Sequence, residues 1–327
     1  MRHFRLLIVI SAVTLVFLAA CQPKPISTAA QYDRAALQSF VDKYLDAVIA
    51  HDPAQAPLAA TVKFTENGQR LIPGDGLWNT ASVRGSYHLY VADPQAGQVG
   101  YFGTIRENGV PAILGLRLKI EKQAISEIET FVVRDTTGAQ RLEKLGAPHP
   151  VFAQAIPDSE RLSRAELITA ANKYFTALER NDGKGEYNFT DDCNRLENGK
   201  QTSNNPAKEP RPFDIDGMSC KAQFETGFFC FVTRIRDRRF VVVDEERGIV
   251  LAFAFFDHAG NVLNITLSNG VSFPGGVNRP WTWEIAEIFK VENGLLRQIE
   301  ALFQEAPYGM NSGWSAWEQG LSSAIQQ

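Results

Sequence analysis

Leu37, Phe40, Val41, Tyr44, Leu45, Val48 and Ile49 recur at the i, i+3, i+4, i+7 spacing that lays one apolar stripe along a helix. The same stripe returns in Leu167, Ala170, Ala171, Tyr174, Phe175 and Leu178. Ser163, with Glu166 three residues on, supplies a capping box for the second helix. Both helices run into polar turns, His51-Asp52-Pro53 and Asn181-Asp182-Gly183, and then into loop-rich sequence. Strand-like runs follow. In the first half they read 97–107, 112–121 and 125–134; in the second, 223–236, 239–245, 249–257, 283–292 and 295–305. Asn108-Gly109, Arg247-Gly248 and Asn293-Gly294 mark turns between them. Alternation in Leu116-Arg117-Leu118-Lys119-Ile120-Glu121 predicts strands with one face in water.

The two halves repeat one another. Arg34-Ala35-Ala36-Leu37 and Lys43-Tyr44-Leu45-Asp46-Ala47 return as Arg164-Ala165-Glu166-Leu167 and Lys173-Tyr174-Phe175-Thr176-Ala177. Phe64-Thr65-Glu66 with Arg70-Leu71 pairs with Phe189-Thr190-Asp191 with Arg195-Leu196. Leu118-Lys119-Ile120-Glu121 with Ile128-Glu129 pairs with Phe289-Lys290-Val291-Glu292 with Ile299-Glu300. Order is kept while spacing changes, which means two copies of one domain and not a solenoid of short repeats. Helices first, then a meander of antiparallel strands, predicts α+β domains with helices on one face of a strongly curved sheet. The domains are placed at 31–135 and 163–314, with a linker at 136–162 and a C-terminal tail at 315–327. The linker and the loop 198–217 read as surface connections.

Composition adds an address. Arg2, His3 and Arg5 precede an apolar run from Leu6 to Ala20, the length of a signal-peptide core and short of the roughly 20 residues that span a bilayer. The run ends Leu18-Ala19-Ala20-Cys21, which resembles a bacterial lipobox, and that resemblance implies acylation of Cys21 after removal of 1–20. Gln22 in place of Asp directs the expectation to the periplasmic face of the outer membrane. Residues 21–30 form a proline-containing tether. The formal net charge is −4. Loss of Arg2 and Arg5 would make it about −6, which disfavours nucleic acid as a partner.

Cys193, Cys220 and Cys230 remain, all in the second copy. In an oxidising compartment Cys193 and Cys220, which flank a polar loop, are the expected disulfide, a closure contributing about 3 kcal/mol. Cys230 is expected as a buried thiol in an apolar strand. No paired Cys/His spacing accompanies these residues, so no metal is expected. No phosphate-binding glycine loop or hydrolase elbow occurs, so no cofactor is expected.

The segment Lys173-Tyr174-Phe175-Thr176-Ala177-Leu178 and the closing strands, 285–294 and 296–300 around Asn293-Gly294, resemble the nuclear-transport-factor-2-like superfamily. The likeness extends to its SnoaL-like and ketosteroid-isomerase-like members. It covers most of 162–314 and, more weakly, 33–134. The resemblance implies a cone, a curved sheet around a pocket whose mouth lies near the helices. It also implies either cofactor-free isomerisation, dehydration, cyclisation or lyase chemistry, or ligand binding alone. No catalytic signature of a member is present.

Candidate chemistry is concentrated in the second copy. Asp191 and Asp192 suit a general base at a pocket mouth, or a solvated turn paired with Arg195. His258 suits a partner acid, or a strand end; neighbouring Asp257 should point to the opposite face. The run Arg234 to Arg239 faces Asp244, Glu245 and Glu246 as solvated cross-strand pairs, or recognises a substrate carboxylate. Glu129 and Glu300 either point into the cones or pair with Lys119 and Lys290. Trp281, Trp283, Tyr308, Trp314 and Trp317 form a pocket wall or core, and the glycines of Gly74-Asp75-Gly76-Leu77-Trp78 permit close backbone approach.

These readings converge on an anchored, cofactor-independent isomerase, dehydratase or lyase acting on a small apolar or aromatic molecule. Asp191 or Asp192 would be base and His258 acid, with Trp283, Tyr308, Glu300 and Arg195 contacting substrate. The competing reading is a small-molecule-binding or envelope-interaction lipoprotein without chemistry. Oligomeric state is open.

Overall fold

The computed structural model describes residues 32–209 and 213–326; the expected leader, Cys21 and the expected tether lie outside them. Asp33 caps α1 (Arg34–Ile49) by accepting from the Ala36 amide at 2.7 Å, and the predicted stripe is buried against β strands. The strands are β1 (Leu58–Glu66), β2 (Gln69–Leu71), β3 (Ala81–Asp93), β4 (Gln98–Glu107), β5 (Val110–Glu121) and β6 (Ala124–Val133). After α2 (Thr136–Leu145), the second copy opens with α3 (Arg164–Leu178), started by the expected Ser163–Glu166 capping box. It continues through β7 (Phe189–Glu197), β8 (Lys200–Gln201), α4 (Cys220–Glu225), β9 (Arg234–Asp244) and β10 (Ile249–His258). A hairpin of β11 (Val262–Thr266) and β12 (Ser272–Val277) precedes β13 (Trp281–Glu292) and β14 (Leu295–Ala306). The chain closes with α5 (Trp317–Gly320) and β15 (Ile325–Gln326), the latter pairing with β9.

The molecule is mixed helix and sheet with two sheet-dominated domains. The first sheet runs β2-β1-β6-β5-β4-β3 and the second β8-β7-β14-β13-β10-β9-β15. The strand order is the same apart from β15. Neither sheet is the expected simple meander. β1 lies parallel to β6, and β7 parallel to β14, because the strand after the helix returns beside the last strand.

Sheet register also corrects the repeat. Asn67 donates to the Val132 carbonyl at 3.2 Å and accepts from its amide at 2.7 Å. Asn198 makes the same two bonds to Phe303, at 2.9 and 3.0 Å. Glu66-Asn67-Gly68 therefore corresponds to Glu197-Asn198-Gly199, and Asp191 lies upstream of the position matched to Glu66. The two Asn-Gly turns, with Asn67 and Asn198 at φ 47° and 43°, fix this register.

The wet face expected of 116–121 is dry at Arg117, while Lys119 is half-buried and Glu121 exposed. β10 is dry on both faces. Along β10, Val250, Ala252, Ala254 and Phe256 face the helix of their own domain. Ile249, Leu251 and Phe253 join a second core with Tyr87, Leu89, Val91 and Phe102 of the first domain. Two dry faces explain why β10 reads as an almost unbroken apolar run. Polar residues on the covered faces pair across the seam. Glu129 accepts from Arg239 at 2.6 and 3.0 Å and from Arg117 at 3.2 Å, while Tyr87 donates to Glu300 at 2.7 Å.

The charged run 234–239 is thus not a solvated ladder. Arg236, Asp237, Arg238 and Arg239 are buried, and Arg234 and Arg236 both reach Asp257. Lys290 donates to the Gln154 and Arg247 carbonyls, and Lys119 pairs with Glu121 and Glu127, so neither lysine serves Glu129 or Glu300. Residues 223–236 are not one strand. Ser219 caps α4 there, and Phe228–Phe231, including half-buried Cys230, form a short 3-10 turn. Nor is the linker only a surface connection: α2 buries Gly138, Ala139 and Leu142, and Gly138 meets the Asn198-Gly199 turn so closely that a Cβ would lie 2.7 Å from the Asn198 carbonyl oxygen.

Candidate functional site

A cavity of about 420 Å³ lies inside the second domain between α3, the sheet and the segment joining β8 to β9. Its apolar wall is aromatic, formed by Phe228, Phe229, Phe231, Phe256, Trp283 and Phe303. Its polar lining includes Arg195 from β7, Thr202 after β8 and Glu287 from β13. Period-two alternation puts Ile285, Glu287 and Phe289 on the helix-facing side of β13. Tyr174, on the apolar stripe of α3, completes the floor.

The polar floor is braced from behind. Arg195 donates to the Tyr174 hydroxyl at 3.2 Å and to Gln223 Oε1 at 2.6 Å, and its guanidinium lies 3.6 Å from Glu197. Gln223, on α4, donates in turn to the Thr202 and Ile215 carbonyls at 2.5 and 2.6 Å. The Arg195 guanidinium also sits 5.1 Å from the Phe229 ring centroid. Burial opposes its charge, but Glu197 and Tyr174 hold it protonated. Glu287 is 2% exposed, and burial pushes its carboxyl up to about 8, Glu197 adding to the rise while Arg195 and Tyr174 oppose it. Burial likewise raises the Tyr174 hydroxyl.

Three of these side chains hold polar atoms that have no hydrogen-bond partner among the described residues: Glu287 Oε2, Arg195 Nε and Thr202 Oγ1. All three residues are more than nine-tenths buried. Unmatched polar atoms are rare in protein interiors, so three around one cavity distinguish it from the larger clefts at the surface. Chemically, the floor offers a carboxyl that exchanges its proton near neutral pH, a fixed cation and hydroxyl donors, beside aromatic walls.

The residues singled out from sequence scatter around this cavity. Arg195 and Trp283 line it. Asp191 and Asp192 do not: both are exposed on β7, and Asp192 lies 3.3 Å from Arg297, with the Thr190 hydroxyl foremost in holding its carboxyl below the usual range. His258 is buried behind the wall, stacked on Trp281 at 3.8 Å and edge-on to Trp283 at 4.7 Å. Burial pushes its pKa down to about 4, so the ring is neutral at physiological pH, a correction to its expected role as acid. Asp257 does turn to the other face, toward Arg234, Arg236 and Thr282. Tyr308 is exposed and borders a separate cleft beside the β11–β12 hairpin. Glu300 faces Tyr87 at the domain seam, and burial pushes it up to about 7. Cys193 and Cys220 are neighbouring buried thiols, Cys220 Sγ donating to the Cys193 carbonyl at 3.1 Å. Trp314 spans the seam, donating to Thr65 at 2.8 Å with the Arg117 guanidinium over its ring.

Glu287, Tyr174 and Thr202 went unread because each looked ordinary in its own segment. One signal was available. With the last strands aligned, Glu287 falls on Leu116 of the first copy, a carboxyl where the repeat holds a core leucine. The loop 198–217 hid Thr202, which is 8% exposed and anything but a surface residue.

The chain belongs to the family described as "Domain of unknown function (DUF8021)", whose model matches residues 30–132 and 160–303. No curated protein matches the chain. Among solved structures, it is similar to the crystal structure of a de novo designed protein with curved β-sheet, at 14% identity and a TM-score of 0.25, covering 44% of this chain and 88% of that one. Among the described residues there is no cluster of three or more His, Cys, Asp or Glu suited to a metal, and no helix long and apolar enough to cross a membrane.

Proposed function

We propose that the second domain is a cofactor-independent isomerase, dehydratase or lyase acting on a small apolar or aromatic molecule, with Glu287 as its general acid/base. The observation carrying this reading is the Glu287 carboxyl, buried in an aromatic-walled cavity with one unpartnered oxygen beside Arg195 and Tyr174. With a pKa of about 8, roughly a tenth of the group is ionised at pH 7. Ionised Glu287 takes a proton from a carbon next to an electron-withdrawing group. The electron pair moves onto that group, and donors on the floor stabilise the developing negative charge. Arg195 donates to the Tyr174 oxygen, and the tyrosine hydroxyl in turn favours the ionised carboxyl of Glu287. Return of the proton to a different carbon isomerises the substrate; departure of a leaving group instead completes an elimination.

The setting belongs to the same proposal. We read both domains as cones of the nuclear-transport-factor-2-like type, supported by the helix-first order and the shared strand order of the two sheets. The chain would be held by acylated Cys21 on the periplasmic face of the outer membrane, where Cys193 and Cys220 would oxidise to a disulfide behind Arg195.

The test is isomerisation of cyclohex-3-enone to its conjugated isomer, followed by ultraviolet absorbance. Glu287→Gln is expected to lower the rate by about 100-fold or more with the circular dichroism spectrum unchanged. A folded Glu287→Gln protein with the wild-type rate, or no turnover by wild type over a panel of cyclic ketones, would leave a binding protein without chemistry.

A further inference from the structure

We infer that the molecule occupying this cavity carries a carboxylate, seated on Arg195 and Thr202, on an aromatic or alicyclic body that packs against Phe229, Phe231 and Trp283. The inference rests on the cavity being the working site proposed above, and names its substrate class. Arg195 has five N–H donors, of which the described residues take one at each terminal nitrogen, through Tyr174 and Gln223. Its Nε–H is unpartnered, as is the Thr202 hydroxyl. Glu197 comes within 3.6 Å of the Arg195 Nη1, beyond hydrogen-bond length, and the described residues give it no bond to Nε or to the Thr202 hydroxyl. Two unmatched donors, one on a buried cation, ask for an oxygen anion.

The bracing argues the same way. Gln223 fixes Arg195 and is itself fixed by two carbonyls, so the guanidinium is held in place before any ligand arrives. The cavity volume of about 420 Å³ matches a one- or two-ring acid. Its aromatic wall would cover the rings while the head group reaches the floor.

Glu287 adds a signature. The charged and titratable groups around it are Tyr174 on α3 and Arg195 and Glu197 on β7, with Asp135, Arg141, Lys200 and Asp216 elsewhere on the lining. While protonated, Glu287 tolerates or donates to a neighbouring carboxylate. Once ionised, it repels one. Affinity for an anionic ligand therefore falls as pH rises through about 8, and affinity for a neutral ligand does not.

The experiment is calorimetric titration of the full chain with 3-phenylpropionate and with 3-phenylpropanamide, its near-isosteric neutral partner. At pH 6.5 the acid is expected to bind at least about tenfold more tightly than the amide. Arg195→Gln removes that preference, and Thr202→Val reduces it about fivefold. Between pH 6.5 and pH 9 the wild type loses about tenfold in affinity for the acid, and Glu287→Gln loses little. If Arg195→Gln fails to fold, Thr202→Val and the pH comparison decide. Equal binding of acid and amide, or binding of neither, overturns the carboxylate assignment. Cyclohexenone turnover without a carboxylate preference removes this inference and keeps the acid/base reading. A carboxylate preference without turnover does the reverse.

Discussion

The two domains share a strand order and differ at their centres. Aligned by their Asn-Gly turns and closing strands, Phe64 of the first stands where Arg195 stands in the second, and Leu116 stands where Glu287 does. Tyr44 and Tyr174 keep the same place on their helices. The first interior is filled. Trp78 is 1% exposed and packs edge-on to Tyr44 at 5.4 Å. It is held by a turn whose Leu77 amide donates to Glu66 at 2.7 Å. At Gly76, φ +64°, a side chain would strike that carboxylate. The matched acid in the second domain, Glu197, instead lies beside Arg195 on the same strand, 3.6 Å from its guanidinium. One frame therefore yields a dry core when its inward positions are apolar and a bracing tryptophan enters. It yields a polar cavity when two of those positions are charged and the insert contributes α4 instead.

The contrast can be broken most sharply in the first domain. Leu116→Glu would bury a carboxyl beside Phe64, with no guanidinium to meet it, and is expected to cost about 4 kcal/mol in urea unfolding. Adding Phe64→Arg should recover part of that loss as a favourable coupling; strict additivity would mean that the pair does not explain how the second domain tolerates its buried acid.

Next in size is the seam that joins the two. Glu129 is 6% exposed, and although burial alone would raise its carboxyl, Arg239 and Arg117 outweigh this and hold it below the usual carboxylate range. Glu129→Ala leaves two buried cations with too few partners and should cost about 3 kcal/mol. Because the folded pKa is depressed, the contribution of Glu129 is present above its unfolded pKa and lost as pH falls through the folded one.

A smaller effect of opposite sign comes from the cavity. Glu287, at about 8, keeps its proton in the folded chain to a higher pH than its ordinary 4.5. Its stabilising proton uptake is complete below about 4.5 and is lost as pH rises to about 8. Glu284 and Glu300, each pushed by burial to about 7, act in the same direction over a narrower window. Glu287→Leu, the residue of the first domain, should therefore raise Tm at pH 8 and have much less benefit at pH 4.5. Equal shifts at the two pH values would mean that the gain is packing alone. The smallest change is expected from Asp192→Asn, which removes one exposed ion pair worth at most about 0.5 kcal/mol and should leave turnover intact. A large loss of turnover would return the base to the β7 acids.

Periodicity carried α1, α3 and most of the later strands of each sheet, because an amphipathic stripe depends only on local spacing. The Ser163 capping box and the Asn293-Gly294 turn were legible for the same reason. β3 escaped although it runs 13 residues, since its outer half, with Ser82, Arg84 and Ser86, is polar and partly exposed. The helix α4 escaped because Cys220 to Arg236 reads as apolar and strand-like until Gly227, at φ 72°, divides it. Arg195 and Trp283 could be named as candidates from their chemistry. Their convergence with Glu287 could not, since β7 and β13 each meet β14 on opposite sides, and only that pairing makes them neighbours across the cavity.

The sequence by itself determined the duplication, the apolar faces of the helices and the hairpin turns at Asn108-Gly109 and Asn293-Gly294, because these are properties of neighbouring residues. The tertiary structure alone decided which charges are buried. Asp191 and Asp192 look like a base in isolation and lie in solvent, whereas Glu287 looks like one more strand residue and is buried beside aromatic rings. Burial arises from contacts between distant segments, and it is burial that turns an ordinary carboxyl into one that exchanges its proton near neutral pH.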